Sequence, residues 1–391
     1  MSRIAELIAK LCPNGIEYVK LGDVCTITKG KTPIQKAIPG EYPLVVTTSE
    51  RKSCNTYQFD KSAVCIPLVS SRGHGVASLN HVYFQSGKFA LGNILCAVIP
   101  NDENVLSANF LFHYLEYKKD TLIVPLMKGG ANVSLHIYDI QRVKIPLPPL
   151  DVQLETIEIL DKFVELSEML TKELSIRKKQ YEYYRDLLLD FGVHGGATSE
   201  CKRRTIKLGD IGKISMCKRI MKSETSPDGD IPFYKIGTFG GEPNAYISKE
   251  TFEKYKSLYS FPKKGDILIS AAGTIGRTVV YDGEPAYYQD SNIVWIDNDE
   301  TIVLNRYLYY VYQLSPWQIS TGGTIARLYN DNIANAKINI PSIKEQERIV
   351  SILDRFDKLC NDISEGLPAE IEARRKQYVY YRDKLLSFNE A

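Results

Sequence analysis

The sequence predicts an α+β fold: two β-rich modules in pseudo-twofold tandem repeat, each closed by a long helix, with the helices pairing as a coiled coil. Three observations predict it. The first is self-similarity. Val19-Lys20-Leu21-Gly22-Asp23-Val24 recurs as Ile206-Lys207-Leu208-Gly209-Asp210-Ile211, and Lys144-Ile145-Pro146-Leu147-Pro148-Pro149-Leu150 with Gln153 recurs as Lys337-Ile338-Asn339-Ile340-Pro341-Ser342-Ile343 with Gln346. Leu160-Asp161-Lys162-Phe163 matches Leu353-Asp354-Arg355-Phe356, and the Arg177–Asp186 segment recurs over Arg374–Asp383. The offset grows from 187 to 193 to 197, so the chain is one module written twice. The second observation is the tails. Residues 152–191 lack Gly and Pro and are rich in Leu, Glu, Lys and Arg, the composition of a helix. The third is the middles, where short apolar runs alternate with Gly, Asn and Asp, the pattern of short strands and turns.

In chain order, residues 1–150 form the first module, with strands at 63–69 and 94–99 and a short helix at 107–117. Pro148-Pro149 then introduce a long helix over 151–191. Its Leu174, Arg177, Tyr181, Tyr184, Leu188 and Phe191 step by three and four, an a/d seam. The Gly-rich stretch at 192–204 reads as a linker. Residues 205–341 form the second module, with strands at 266–270 and 292–296 and a helix at 304–314. The second long helix covers 342–391, and its Ile371, Arg374, Tyr378, Tyr381, Leu385 and Phe388 repeat the seam. Four extra residues around Gly366-Leu367-Pro368-Ala369 predict a break there. At about 1.5 Å per residue, forty helical residues reach about 60 Å, more than a small domain spans, so these helices must project or pair.

Composition excludes several function classes. No apolar run approaches the roughly 18 residues of a membrane span, and the first residues show no signal-peptide pattern, which points to a cytoplasmic protein. The eight cysteines contain no C-x-x-C pair and the five histidines no H-x-x-x-H, so no metal site is expected. Net charge is only +2, and charge alone does not mark a nucleic-acid binder. Gly30-Lys31-Thr32 lacks the earlier glycine of a phosphate loop, since Cys25 stands there, and reads as a turn. Pro148-Pro149 lie between leucines rather than in the Asn/Asp-Pro-Pro-aromatic motif of a base methyltransferase. No nuclease carboxylate cluster and no nucleophile-base pairing has a workable spacing.

What remains are loops able to approach a phosphate backbone. Ser70–Gly75 carries Arg72 and His74, and Ala271–Arg277 carries Arg277. Lys128-Gly129-Gly130-Ala131-Asn132 carries Lys128 and Asn132, and Thr321–Arg327 repeats it in place with Thr324 and Arg327. Lys218, Arg219 and Lys222 form a basic cluster near the start of the second module. Arginine can hold guanine and asparagine adenine. Tyr181, Tyr184, Tyr378 and Tyr381 could stack on bases, but the heptad assigns them to the seam.

This pattern resembles the specificity subunit of a type I restriction-modification system. The residues that carry the resemblance are the two K-I-x-I/L-P…Q segments, the two R-K/R-K-Q-Y-x-Y-Y-R-D tails and the two Val/Ile-Lys-Leu-Gly-Asp module starts. The four-residue insertion at 366–369 departs from an even repeat. The resemblance implies that each module is a target recognition domain reading one half of a split double-stranded DNA target. It implies that the two helices pack antiparallel and hold the domains apart. It implies two methyltransferase subunits and restriction (motor) subunits as partners, with S-adenosylmethionine, Mg and ATP bound by those partners and no cofactor or active site on this chain. Helix length exceeds the roughly 34 Å of one duplex turn, which suits two readers on one duplex. Two rival readings are a tandem DNA-binding regulator without catalytic partners and a nuclease fused to a coil.

Overall fold

The repeated residues are joints, and the structure shows what each one joins. In this computed structural model the described residues are 2–189, 204–319 and 327–390. Phe191, Thr324 and most of the linker at 192–204 lie outside them. The chain divides into two units: Met1–Thr171 with Glu370–Ala391, and Lys172–Ala369. The division falls within both long helical segments rather than at the helix ends that the repeat predicts as boundaries.

Unit 1 begins with α1 (Ser2–Leu11), β1 (Tyr18–Lys20), α2 (Leu21–Val24) and β2 (Cys25–Lys29). Then come β3 (Tyr42–Val45), β4 (Lys52–Cys54), β5 (Phe59–Asp60), β6 (Ala63–Pro67), β7 (Tyr83–Gln85), β8 (Lys88–Leu91) and β9 (Leu95–Pro100). It continues through α3 (Ala108–Leu122), α4 (Ile137–Gln141) and β10 (Lys144–Pro146) into α5 (Leu150–Leu189). Unit 2 carries β11 (Arg204–Lys207), β12 (Gly212–Ser215), β13 (Ile231–Tyr234), β14 (Tyr246–Ile247) and α6 (Lys249–Leu258). It goes on through β15 (Ile267–Ser270), β16 (Thr278–Val280), β17 (Tyr287–Tyr288), β18 (Ile293–Asn298), α7 (Asn305–Gln313), α8 (Asn330–Asn335) and β19 (Lys337–Ile340). Two helices follow, α9 (Ile343–Asn361) and α10 (Leu367–Leu385).

The middles, which share little sequence, share topology. In unit 1 the main sheet has the order β2-β9-β6-β7; in unit 2 it is β12-β18-β15-β16. The second sheet is β4-β3-β8-β5 in one and β14-β13-β17 in the other, each with a parallel pair, β3 with β8 and β13 with β17. A two-stranded ribbon, β1-β10 or β11-β19, ties the start of each module to its end. Strand β9 is buried along its length and β18 nearly so, as the continuous apolar runs require of a strand covered on both faces. The repeated Lys-Leu-Gly-Asp turns back from this ribbon. Leu21 donates its N–H to Val143 O and Leu208 to Ala336 O, both at 2.9 Å, and both leucines are fully buried.

Gln153 and Gln346 fasten each module to its long helix. Gln153 Nε2 donates to Val105 O (2.9 Å) and Pro148 O (2.7 Å), and its Oε1 accepts from Ser107 N (2.9 Å). Gln346 repeats this with Ile302 O and Pro341 O (both 3.0 Å) and Leu304 N (2.9 Å). One turn or two further on, Asp161 Oδ1 meets His113 Nε2 of α3 at 2.8 Å, and Asp354 Oδ1 accepts from Arg306 Nε of α7 at 2.6 Å. The side chain after next completes the joint. Phe163 stacks on Tyr381 of α10 in unit 1, and Phe356 of α9 stacks on Tyr184 of α5 in unit 2, with ring centroids 5.2 and 5.7 Å apart. As α5 advances from 163 to 184 its partner falls from 381 to 356, the order of antiparallel helices.

The seam residues find different partners from those the heptad alone suggests. Leu174, Tyr181 and Leu188 pack into the core of unit 2, and Tyr181 Oη donates to Gln313 of α7 at 2.9 Å. Tyr378, Tyr381, Leu385 and Phe388 pack into the core of unit 1, while Ile371 is half-buried near the start of α10. The expected break falls at 362–366. Asp362 accepts from the backbone of Ser364 (2.7 Å) and Glu365 (3.2 Å), and Gly366 sits where a Cβ would lie 2.5 Å from Lys358 O. Only glycine fits that approach, and Pro368 then occupies the first turn of α10, where its missing N–H is harmless. Among the described residues no helix is long and apolar enough to cross a membrane.

The joints differ in one titratable residue. His113 is 5% exposed, and burial holds its pKa below the ordinary histidine value against the opposing pull of Asp161. As the pH falls, the unfolded chain binds this proton first, from about pH 6.5. The stability that neutral His113 contributes is therefore complete above that value and lost below it. Arg306, at the matching place in unit 2, does not titrate in this range. Unit 1 should lose protection against hydrogen exchange as the pH falls below about 6.5, after correction for intrinsic exchange, and His113→Gln should flatten that dependence. An undiminished slope in His113→Gln would assign the effect elsewhere.

Candidate nucleic-acid interface

At one end of each main sheet, β2 and β6 finish and β9 begins, and likewise β12, β15 and β18. The loops emerging there are bonded to one another. In unit 1, Gly30 donates to Leu95 O (2.9 Å), Asn93 to Thr32 O (2.9 Å), Leu68 to Ile94 O (2.8 Å), Ser70 to Val133 O (3.0 Å) and Leu135 to Leu68 O (2.9 Å). In unit 2, Ala271 donates to Asn292 O (2.7 Å) and Leu328 to Ala271 O (2.9 Å). The Leu135 and Leu328 bonds occupy the same place in the two sheets. They bring the 70–75 loop beside 128–132 and the 271–277 loop beside Arg327, loops that the sequence pairs only by repetition.

In unit 1, Arg72, His74, Lys128 and Asn132 are all exposed on adjacent loops. Gly75 has φ +78°, and a Cβ there would lie 2.9 Å from Gly130 O, so glycine lets the loops touch. Lys128 has an acidic neighbour in Asp139, at 3.9 Å. That distance in solvent carries little energy, so the ammonium stays available. His74 adopts φ +61° in the same turn and is exposed.

In unit 2, Lys218 and Arg219 are exposed where β12 ends. The Lys218 ammonium lies 5.1 Å from the centroid of the Tyr259 ring, and Lys218 O accepts from Tyr287 Oη at 3.0 Å. Lys222 is exposed on a short 3₁₀ turn whose Glu224 is bound by Tyr255 of α6, so it belongs beside the second sheet. Arg277 and Arg327 each donate to a backbone carbonyl, Phe239 O and Ser291 O, at 2.8 Å. Lys29 and Lys31, exposed at the end of β2, stand where Lys218 and its neighbours stand at the end of β12. In the sequence Lys31 is one residue of a Gly-Lys-Thr turn. Only the strand order places it at this end, since the two stretches share no motif.

The model of the type I restriction modification DNA specificity domain matches this chain twice, over residues 13–176 and 202–373. The chain belongs to the type I restriction-modification DNA-specificity family. Relatives of this specificity subunit include a putative type I restriction enzyme specificity subunit of Haemophilus influenzae, 45% identical over 385 residues and covering 96% of both chains. The EcoR124I/EcoR124II specificity subunit of Escherichia coli is 33% identical over 297 residues, 71% of each chain. The fold is similar to that of the crystallised type I S subunit from M. genitalium, with a TM-score of 0.62 over 96% of this chain and 97% of that one, at 16% identity. Each matched domain ends within a long helix, short of the tail tyrosines. The residues the two domains repeat include the joints at Gln153/Gln346 and Asp161/Asp354, while the loops at the sheet ends share little beyond the Gly-Gly pair of 129–130 and 322–323.

Proposed function

We propose that units 1 and 2 each read one half of a bipartite double-stranded DNA target, and that partner subunits then methylate or cleave the DNA. The observation that carries this reading is that two sheets of the same strand order present loops at the same end that share the Gly-Gly pair of 129–130 and 322–323 but otherwise carry different side chains. A frame kept while its loops change is what two readers of different half-sites require. Arg72, His74, Lys128 and Asn132 supply contacts in unit 1, joined by Lys29 and Lys31. Lys218 and Arg219 supply them in unit 2, with Lys222 at the flank. Cations at loop tips neutralise phosphates and give affinity that falls with salt; Asn132 and the arginines can address base edges.

Methyltransferase and restriction subunits are the partners in this reading, and S-adenosylmethionine, Mg and ATP belong to them. This chain then does no chemistry itself. Two copies of the methyltransferase fit a repeated surface. Tyr183 and Tyr380 are about 60% exposed, each edge-on at 74° to the neighbouring tyrosine, and each precedes an Arg-Asp pair. The cytoplasm is the compartment of such partners, and the unpaired state of the seven described cysteines suits its reducing conditions.

The test is a swap. Replacing residues 212–321 by the matching middle of another family member should change one half of the motif found by methylome sequencing of cells that also express the methyltransferase. The other half should stay, because 25–128 is untouched. A swap that altered both halves would defeat the account of two independent readers.

A further inference from the structure

The two arginines of unit 2 that most resemble base readers are already engaged. Arg277 Nη1 donates to Phe239 O at 2.8 Å, and its own N–H binds Ser270 Oγ at 2.9 Å. Phe239 is 1% exposed and meets Tyr288 edge-on, so its carbonyl is a fixed target. The loop behind it is a tight turn, with Thr238 N on Lys235 O, Gly241 N on Thr238 O and Ile236 N on Gln289 Oε1. Arg327 Nη2 donates to Ser291 O, again at 2.8 Å. Ser291 has φ +51°, a left-handed conformation that a non-glycine residue holds only when its surroundings impose it. The neighbouring Asn292 N–H binds Asp290 O at 2.6 Å, and Asn292 O receives Ala271 N–H. One guanidinium thus ties the 271–277 loop to 235–241, and the other ties the chain at Arg327 to 290–292. Unit 1 works differently. There the adjoining loops close on each other through backbone and serine bonds, and the Arg72 guanidinium clamps none of the described loops.

We propose that Arg277 and Arg327 are positioning residues of the second half-site reader: they hold its loops in the reading conformation and set specificity without contacting a base. This rests on the reading of unit 2 as a DNA reader. The two half-sites are then recognised by different means, unit 1 with exposed cationic side chains and unit 2 with loops pre-ordered by guanidinium bonds to their own carbonyls. A charge-assisted bond from guanidinium to carbonyl is the stronger kind, and pre-ordering a loop lowers what binding must supply.

The experiment compares Arg277→Ala, Arg327→Ala and the two lysine variants in the full chain, by hydrogen exchange without DNA and by methylome sequencing of the complex. Loss of a clamp should speed exchange at Ile236, Thr238 and Gly241, or at Asn292 and Ile293, by about tenfold. Exchange in β15 and in β18 beyond Ile293 should stay at the wild-type level, which shows that the unit is folded. Lysine, keeping one donor, should restore part of the protection. In the complex, more than one position of a single half-site should relax, with the salt dependence of binding unchanged. Unchanged loop protection in the alanine variants, with relaxation at one position only, would make the arginine a base reader and overturn the assignment. A flattened salt dependence would make it a phosphate contact and overturn it equally. A wild-type complex that methylated no discrete sequence would overturn the reading of unit 2 itself, and the assignment with it.

Discussion

Deleting residues 370–391 is expected to unfold unit 1, at the opposite end of the sequence, and to leave unit 2 folded. The last helix completes the core of the first module. Leu385 and Leu386 are 4% and 1% exposed in a cluster with Phe110, Leu160 and Val98. Phe388 meets Phe110 at 6.1 Å, Arg382 lies 4.8 Å over Tyr117, and Tyr381 covers Phe163. Backbone pairing adds to this, since Ile16 N–H donates to Asn389 O at 3.0 Å and Tyr18 Oη to Phe388 O at 3.2 Å. Two leucines and two aromatic rings removed from a core, at about 2–5 kcal/mol each, exceed much of the 5–15 kcal/mol that holds a domain folded. Limited proteolysis should cut the truncated chain within 1–150 and spare 210–315. Leu386→Ala alone should cost about 2–5 kcal/mol. A truncated chain that kept wild-type exchange protection in β6 and β9 would show that unit 1 closes without the tail.

Gln346→Ala is expected to destabilise unit 2 by about 2–5 kcal/mol, and Gln153→Ala unit 1 by a similar amount. Each glutamine is fully buried and makes three bonds to backbone groups of different segments. Truncation leaves two carbonyls and one amide without partners in a site closed to water, at about 1–3 kcal/mol for each group left unsatisfied. Partial relaxation of the cavity reduces the sum. Glutamate should do no better than alanine, because it offers no donor to the two carbonyls and brings a charge into a dry site. Urea unfolding, with exchange resolved by unit, measures both effects. A loss below about 1 kcal/mol in both units would mean that water satisfies these groups and that the joint is not rigid.

The joints were legible as repeats well before their role was. Gln153 and Gln346 recur at the same distance from Pro148 and Pro341, and Asp161 recurs as Asp354, yet spacing alone does not say what an amide or a carboxylate binds. The short strands and helices followed from apolar runs and turn residues, and the break before Leu367 from a glycine and a proline. The cationic loops were visible through their glycines. Lys29 and Lys31 were not, because their place at the sheet end depends on strand order.

The sequence by itself determined that this chain is one module used twice, that each copy ends in a long helix, and that family membership follows from those repeated segments. Helical periodicity and turn chemistry are local, acting over a few residues, so they can be read in one dimension. Tertiary structure alone decided which surfaces the seams bury. It set Tyr184 against Phe356 and Tyr381 against Phe163. It closed the first module with the last helix, and it bound Arg277 and Arg327 to the carbonyls of Phe239 and Ser291. Burial and hydrogen bonding between residues tens to hundreds of positions apart depend on chain topology, which an amphipathic pattern does not encode.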